Sequence, residues 1–318
     1  MNQGEVDSKA CHLCVRVAKL YYEGDLTQQA IAEKLGLSRI KIHRLLNQAH
    51  QLGIVEVVIH SPDDGQLIEL EHDLVLRYGL RDAVVVPEPI NGETHYHTLA
   101  RSAAGWLESN LKPGMRIGLG LGRTISHLPL FFNPEEKVDC IFTEVVGGSS
   151  EHSGSIAKYN ITSKMAELAG GRAELIYAPN TVSNPELKHR LVSEPAIAGA
   201  LARARQADII LQSIGTVDES AILLVENRIS QSEFQQIQDS CAVGDALGHY
   251  YDDTGSPVPT LMDERVIGLN LADIQKIPWS VVVAGGADKH RALRGALLSG
   301  FFNMVVTDRE SAAFLLRD

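Results

Sequence analysis

Cysteine is scarce: the 318-residue chain has four, at Cys11, Cys14, Cys140 and Cys241. That density excludes a small secreted scaffold held by disulfides. Cys11 and Cys14 form one C-x-x-C with no second pair at metal-ligand spacing, so reduced thiols in the first helix and no metal site are expected. Apolar runs are short, and none approaches the roughly 20 residues needed to cross a bilayer. The polar start MNQGEVDSKACHLC also lacks the cationic and apolar regions of a secretory leader, so a cytoplasmic location is expected. Internal repeats and low-complexity tracts are absent. Basic charge is in deficit, with 29 Lys and Arg against 40 Asp and Glu and a formal net charge of −11. Taken alone, that balance argues against a nucleic-acid partner.

The charge is unevenly placed, however. Residues 1–60 hold seven Lys and Arg against six Asp and Glu, leaving 22 against 34 in the remainder. Contact with phosphates needs only a local cationic face. The stretch Leu26–Leu46, LTQQAIAEKLGLSRIKIHRLL, supplies one. Thr27 suits a helix N-cap, Ala30 is small enough to let another helix approach, and Ile31 and Leu35 recur at helical spacing. Gly36 ends that helix and Ser38 caps a second, running from Arg39 to about His50. Its apolar face is Ile42, Leu45, Leu46 and Ala49, whereas Arg39, Lys41, His43 and Arg44 fall largely off it. This is the pattern of a helix-turn-helix, whose second helix enters the DNA major groove. Candidate DNA-binding residues are Thr27, Gln28, Ser38, Arg39, Lys41, His43 and Arg44. A helical hairpin with an ordinary charged surface is the plainer alternative. Ile54–Ile59 alternates like a short strand, which would make the module winged, and His60–Gly65 reads as a linker. The expected boundaries are 1–60 for this module and 61–318 for a second domain.

Gln66–Tyr78 is amphipathic and could pack on its own domain or on a second subunit. Beyond Leu80, short apolar runs (83–86, 116–119, 139–146, 173–176, 209–215, 280–284, 303–307) alternate with helical segments (94–111, 160–169, 194–206, 230–236, 289–299, 311–317). Continuous apolar strands separated by helices indicate an α/β domain with a Rossmann-like parallel sheet covered on both faces. Ligands of such sheets sit at the carboxyl ends of the strands. Several strand ends there carry glycine-rich turns, which let backbone N–H groups approach an anion. Gly118-x-Gly120-x-Gly122-Arg123-Thr124 is one, although it does not complete the dinucleotide fingerprint. Gly147-Gly148 with Asn160 beyond it, Gly215–Asp218, a loop with Asp245 between Gly244 and Gly248, and Gly285-Gly286 followed by Lys289 are the others. Arg123 and Lys289 supply cations, while Asn160 and Asp245 can hold hydroxyls. A phosphorylated sugar or polyol is the ligand class that suits them.

The ordered set YYEGDLTQQAIAEKLGLSRIKIHRLL, GLGLGRTISHL, VGGSS, VGDALGHYYDDTG and AGGADKHRALRGAL resembles the SorC family of DeoR-like bacterial transcriptional regulators over nearly the whole chain. The resemblance implies a sugar-phosphate isomerase/deaminase-like effector domain that also mediates oligomerisation. It further implies a phosphorylated-sugar effector, double-stranded operator DNA as partner, and dimers or a homotetramer built as a dimer of dimers; no cofactor is expected. It carries Gly122, Arg123, Thr124, Asn160, Asp245 and Lys289 over as effector-site candidates, beside Gly120, Gly147, Gly148, Gly285 and Gly286 from the turns. The rival class is an enzyme acting on sugar phosphates, with Glu144, Asp245 and His249 as acid–base candidates. Fold likeness alone cannot supply that chemistry, and a regulator, not an enzyme, is expected.

Overall fold

The computed structural model describes residues 3–55, 65–89, 93–148, 160–218 and 229–317, with backbone alone for 3–11. The chain divides into two compact units, Met1–Pro62 and Asp63–Asp318.

The first unit has three described helices, α1 (Gln3–Tyr22), α2 (Gln28–Leu35) and α3 (Arg39–Gln51). Thr27 Oγ1 accepts the Ala30 N–H and Ser38 Oγ accepts the Lys41 N–H, each at 3.2 Å, so both caps form at the positions expected from sequence. Gly36 closes α2 with a left-handed φ of 64°, and the Leu37 N–H returns to the Ala32 carbonyl. The core is Cys14, Val17, Ala18, Ile31, Ala32, Ile42, Leu45, Leu46 and Ala49, with Ile54 and Val55 packed against it. The proposed wing strand runs on into residues 56–59, which with the linker to residue 64 lie outside the described residues.

The second unit opens with α4 (Gly65–Tyr78), β1 (Asp82–Val86), α5 (His95–Asn110), β2 (Arg116–Leu119), α6 (Arg123–Ser126) and α7 (Leu128–Phe131). It continues through β3 (Ile141–Glu144), α8 (Ile161–Ala169), β4 (Arg172–Glu174), α9 (Pro185–Ser193), α10 (Pro195–Ala204), β5 (Ile209–Gln212) and β6 (Gly215–Thr216). Then come α11 (Gln231–Gln238), β7 (Ala242–Ala246), β8 (His249–Asp252), β9 (Pro257–Val258) and α12 (Leu271–Ile274). The unit ends with β10 (Trp279–Val283), α13 (His290–Leu298), β11 (Met304–Asp308) and α14 (Arg309–Leu315). Seven strands form a parallel sheet in the order β1-β11-β10-β5-β2-β3-β4.

Alternate residues of its central strands enter two cores. Ile209, Leu211, Val281, Val283, Met304 and Val306 face the side where α5 and α8 bring Leu99, Leu107 and Met165. Ile210, Val282 and Val305 face the other, with Leu74 of α4, Leu293 of α13 and Leu315 of α14. Burial on both faces is why these strands read as continuous apolar runs.

The chain leaves β2 for β3 and β4 on one side, then returns to β5, β10 and β11 on the other. That reversal opens a crevice beyond the carboxyl ends of β2 and β5, where open α/β sheets bind their ligands.

A second, antiparallel sheet, β6-β7-β8-β9, corrects the sequence expectation around Asp245. The residue sits on strand β7, not in a loop between glycines. Leu247 and Gly248, both at positive φ (56° and 82°), form the tight turn to β8. Likewise the expected strand 209–215 breaks at Ser213-Ile214, and Gly215-Thr216 joins the small sheet instead.

Candidate functional site

On the first unit, the six candidates Thr27, Ser38, Arg39, Lys41, His43 and Arg44 are solvent-exposed and Gln28 is half-buried. Thr27, Gln28 and Arg39 line one hollow with Tyr21 and Tyr22. The Tyr22 hydroxyl lies 2.8 Å from His50 Nε2, tying the end of α1 to the end of α3. The buried face of α3 is apolar throughout, and its cations are exposed, Arg44 opposite the core and Arg39 and Lys41 on the flanks.

On the second unit, the turn after β2 packs directly on the end of β5. A methyl group on Gly120 would lie 1.4 Å from Gln212 Oε1, and one on Gly122 would lie 2.7 Å from Ser213 Cβ. Gly120 donates its N–H to the Leu211 carbonyl, and Gln212 Oε1 accepts the Leu121 N–H. Gly122, at φ 132°, then opens α6, in which Thr124 is buried and Arg123 exposed. The first N–H groups of such a turn have no acceptor within the helix.

Asp245 reaches the same crevice from the antiparallel sheet. It pairs with Gly215 across the strands, and a methyl on Gly215 would lie 1.8 Å from Asp245 Oδ1. Its other oxygen accepts the Gly248 N–H at 2.9 Å. Burial raises the Asp245 carboxyl above its ordinary range, against the pull of that N–H, Lys289 and His249. Burial likewise depresses the Lys289 ammonium, which feels Asp288, Asp245 and Asp218 in its favour and Arg123 against it. Arg123, Asp245 and Lys289, which are far apart in sequence, thus share one electrostatic neighbourhood. A half-buried cation beside a second cation gains from an incoming anion.

The remaining candidates are placed differently. Gly285 and Gly286 are clamped to β11: the Gly286 N–H donates to Asp308 Oδ2 at 2.7 Å and Ser311 Oγ at 3.2 Å. Gly147 and Gly148 do not offer their N–H groups to the crevice, because Ile267 O and Ala178 O accept them at 2.8 and 3.0 Å. Asn160 caps α8 through the Ser163 N–H and donates to Glu144 Oε1 at 2.7 Å. Glu144 also accepts the Ile176 N–H at 2.6 Å, and His249 lies 2.6 Å from Asp263. Two of the three acid–base candidates are thereby held in structural contacts.

Several residues here went unnoticed in the sequence. The tripeptide His95-Tyr96-His97 opens α5, after the carboxyl end of β1. The Arg123 guanidinium stands 5.0 Å over the Tyr96 ring, and Tyr96 stacks on buried His127. His95 Nε2 lies 3.1 Å from Asp308 Oδ2. A helix starting just after a parallel strand always begins on the ligand side of the sheet, and that signal could have found them.

Asp308 raises the proton affinity of His95 more than burial lowers it. Burial opposes the Asp308 charge, yet His95, Ser311 and the Gly286 N–H together hold its carboxyl well below the usual range. The raised histidine therefore stabilises the fold fully below its ordinary value of 6.5, and the contribution fades as pH rises through the higher folded value. A His95→Gln variant is expected to show a flatter melting temperature than the parent as pH rises above about 6.5. Identical pH profiles by calorimetry would refute this.

Residues 64–317 match the protein family described as "Putative sugar-binding domain". The chain is 32% identical over 309 residues to the transcriptional regulator LsrR of Escherichia coli, covering 95% of this chain and 93% of that protein. It is 27% identical to the deoxyribonucleoside regulator of Bacillus subtilis, covering 98% of this chain and 100% of that one. The full-length sorbitol operon regulator SorC from Klebsiella pneumoniae superposes with a TM-score of 0.74 at 27% identity, covering 96% of this chain and 99% of that structure. With a helix-turn-helix unit followed by a sugar-binding-type α/β unit, the chain belongs to the SorC family of DeoR-like, sugar-responsive transcriptional regulators.

Proposed function

We propose that this chain is a cytoplasmic, non-catalytic transcription factor that reports a phosphorylated sugar or polyol to a carbohydrate-utilisation operon. Residues 1–60 grip operator DNA, with Arg39, Lys41, His43 and Arg44 on the exposed side of α3 and Thr27, Gln28 and Ser38 beside it. The remainder holds the effector and assembles a homotetramer as a dimer of dimers. The observation that carries the reading is the turn Gly120–Gly122 packed on the carboxyl end of β5, with Lys289 in electrostatic reach of both Asp245 and Arg123. The two cations take the phosphate, and Asp245 takes a pair of hydroxyls. The turn Gly120–Thr124 lies against the phosphate, with Gly285 and Gly286 setting the position of Lys289. Asn160 shapes the rim through Glu144, and Gly147 and Gly148 hold the neighbouring loop. Effector binding changes operator affinity only if it favours one arrangement of subunits over another.

The test is a thermal-shift panel of phosphorylated sugars, polyols and dinucleotides, followed by operator binding at fixed salt with and without the best ligand. Stabilisation by a sugar or polyol phosphate that also alters operator affinity is the expected result. Turnover of a sugar phosphate, or stabilisation by dinucleotides alone, would overturn it.

A further inference from the structure

The buried residues of α3 also fix which side chains lie directly opposite the core. At about 100° per residue, Ile40, Arg44, Asn47 and Gln51 fall within about 30° of the direction opposite the mean of Ile42, Leu45, Leu46 and Ala49. Arg39 and Lys41 lie about 90–110° from that direction, on the helix flanks. Ile40 is 68% exposed, an apolar branched side chain among cations. It is not among the described residues of the unit's core, and a β-branched residue at an open helix position is a poorer helix former than alanine.

We propose that Ile40, Arg44 and Asn47 form the base-reading ridge of α3, and that Ile40 recognises the 5-methyl group of a thymine in the major groove. The inference rests on the operator-binding reading above. Apolar contact is how a protein distinguishes that methyl, and the first residues of a recognition helix are those that reach base edges. Arg44 and Asn47, one and two turns further on, carry the side chains suited to guanine and adenine edges. His43 Nε2 lies 3.3 Å from the Asn47 amide and steadies it. The flanking Arg39 and Lys41 are then left to the phosphates. Ile40, exposed on α3 between Arg39 and Lys41, matches one methyl group beside a polyanion.

The experiment selects a preferred duplex from a randomised pool with the full-length chain, then replaces its thymines one at a time by deoxyuridine. At one thymine per half-site, the loss of the methyl is expected to weaken binding by about four-fold, the worth of one buried carbon group. Ile40→Val should keep that discrimination and Ile40→Ala should lose it. Equal binding of every uracil duplex by the parent, or an undiminished uracil penalty in Ile40→Ala, would overturn the assignment of Ile40. A pool that yields no preferred duplex would instead overturn the operator-binding reading itself, and this inference with it.

Discussion

Lys289→Met is expected to lower affinity for the phosphorylated effector by about 10- to 100-fold, the range of a lost charge-assisted hydrogen bond. Operator affinity without effector should stay within about two-fold of the parent, as for sites with no shared partners. Methionine keeps the length and the apolar stem but removes the cation. Burial lowers the proton affinity of this cation and the Arg123 charge adds to that, while Asp288, Asp245 and Asp218 partly offset both. An incoming anion adds to the groups that favour the charged form. The fold should lose little, because Asp245, itself raised by burial, can take up a proton once its partner cation is gone. Titration calorimetry with the best phosphorylated ligand, and operator binding with and without it, check both halves. Unchanged ligand affinity would place the phosphate elsewhere, and an equal loss of operator affinity would show that Lys289 supports the fold instead.

The sequence disclosed the two caps and the turn of the first unit because they are local. Thr27, Gly36 and Ser38 each act within four residues of themselves, so their spacing is sufficient. The apolar runs of the parallel sheet were legible for a similar reason, since burial on both faces removes the polar alternation. Asp245 shows where such reading fails. A Gly-Asp-Ala-Leu-Gly run looks like a loop, and only cross-strand pairing with Gly215 makes it a strand aimed into the crevice. Gly147 and Gly148 fail in the opposite sense. They read as an anion-binding turn, but segments around Ala178 and Ile267, distant in sequence, accept their N–H groups. Asp308 stayed hidden because His95 and Gly286, which join the local cap partner Ser311 on its carboxylate, come from distant segments. Ile40 was passed over because an exposed isoleucine carries no charge to attract notice, although the helical wheel already placed it opposite the core.

The second large effect is expected from the core of the first unit. Ile42 is fully buried against Ile31, Leu45, Leu46 and Ala49, and Ile42→Ala removes buried carbon and leaves a cavity, at a cost of about 2–5 kcal/mol. A unit of about 60 residues buries only about 60% of its unfolded surface, and its total stability lies near the low end of the usual 5–15 kcal/mol. The substitution therefore consumes a large part of what holds the unit together. Because each unit has its own core, scanning calorimetry should show one transition falling by about 10 °C or more while the other stays in place. Operator binding should be lost at 37 °C, yet the phosphorylated ligand should still raise the unmoved transition. Arg44→Ala separates folding from recognition: it should weaken operator binding with neither transition shifted. If Ile42→Ala lowers both transitions together, the two units unfold as one and the division of labour between them fails. If instead it leaves operator affinity intact, α3 is not the element that reads DNA.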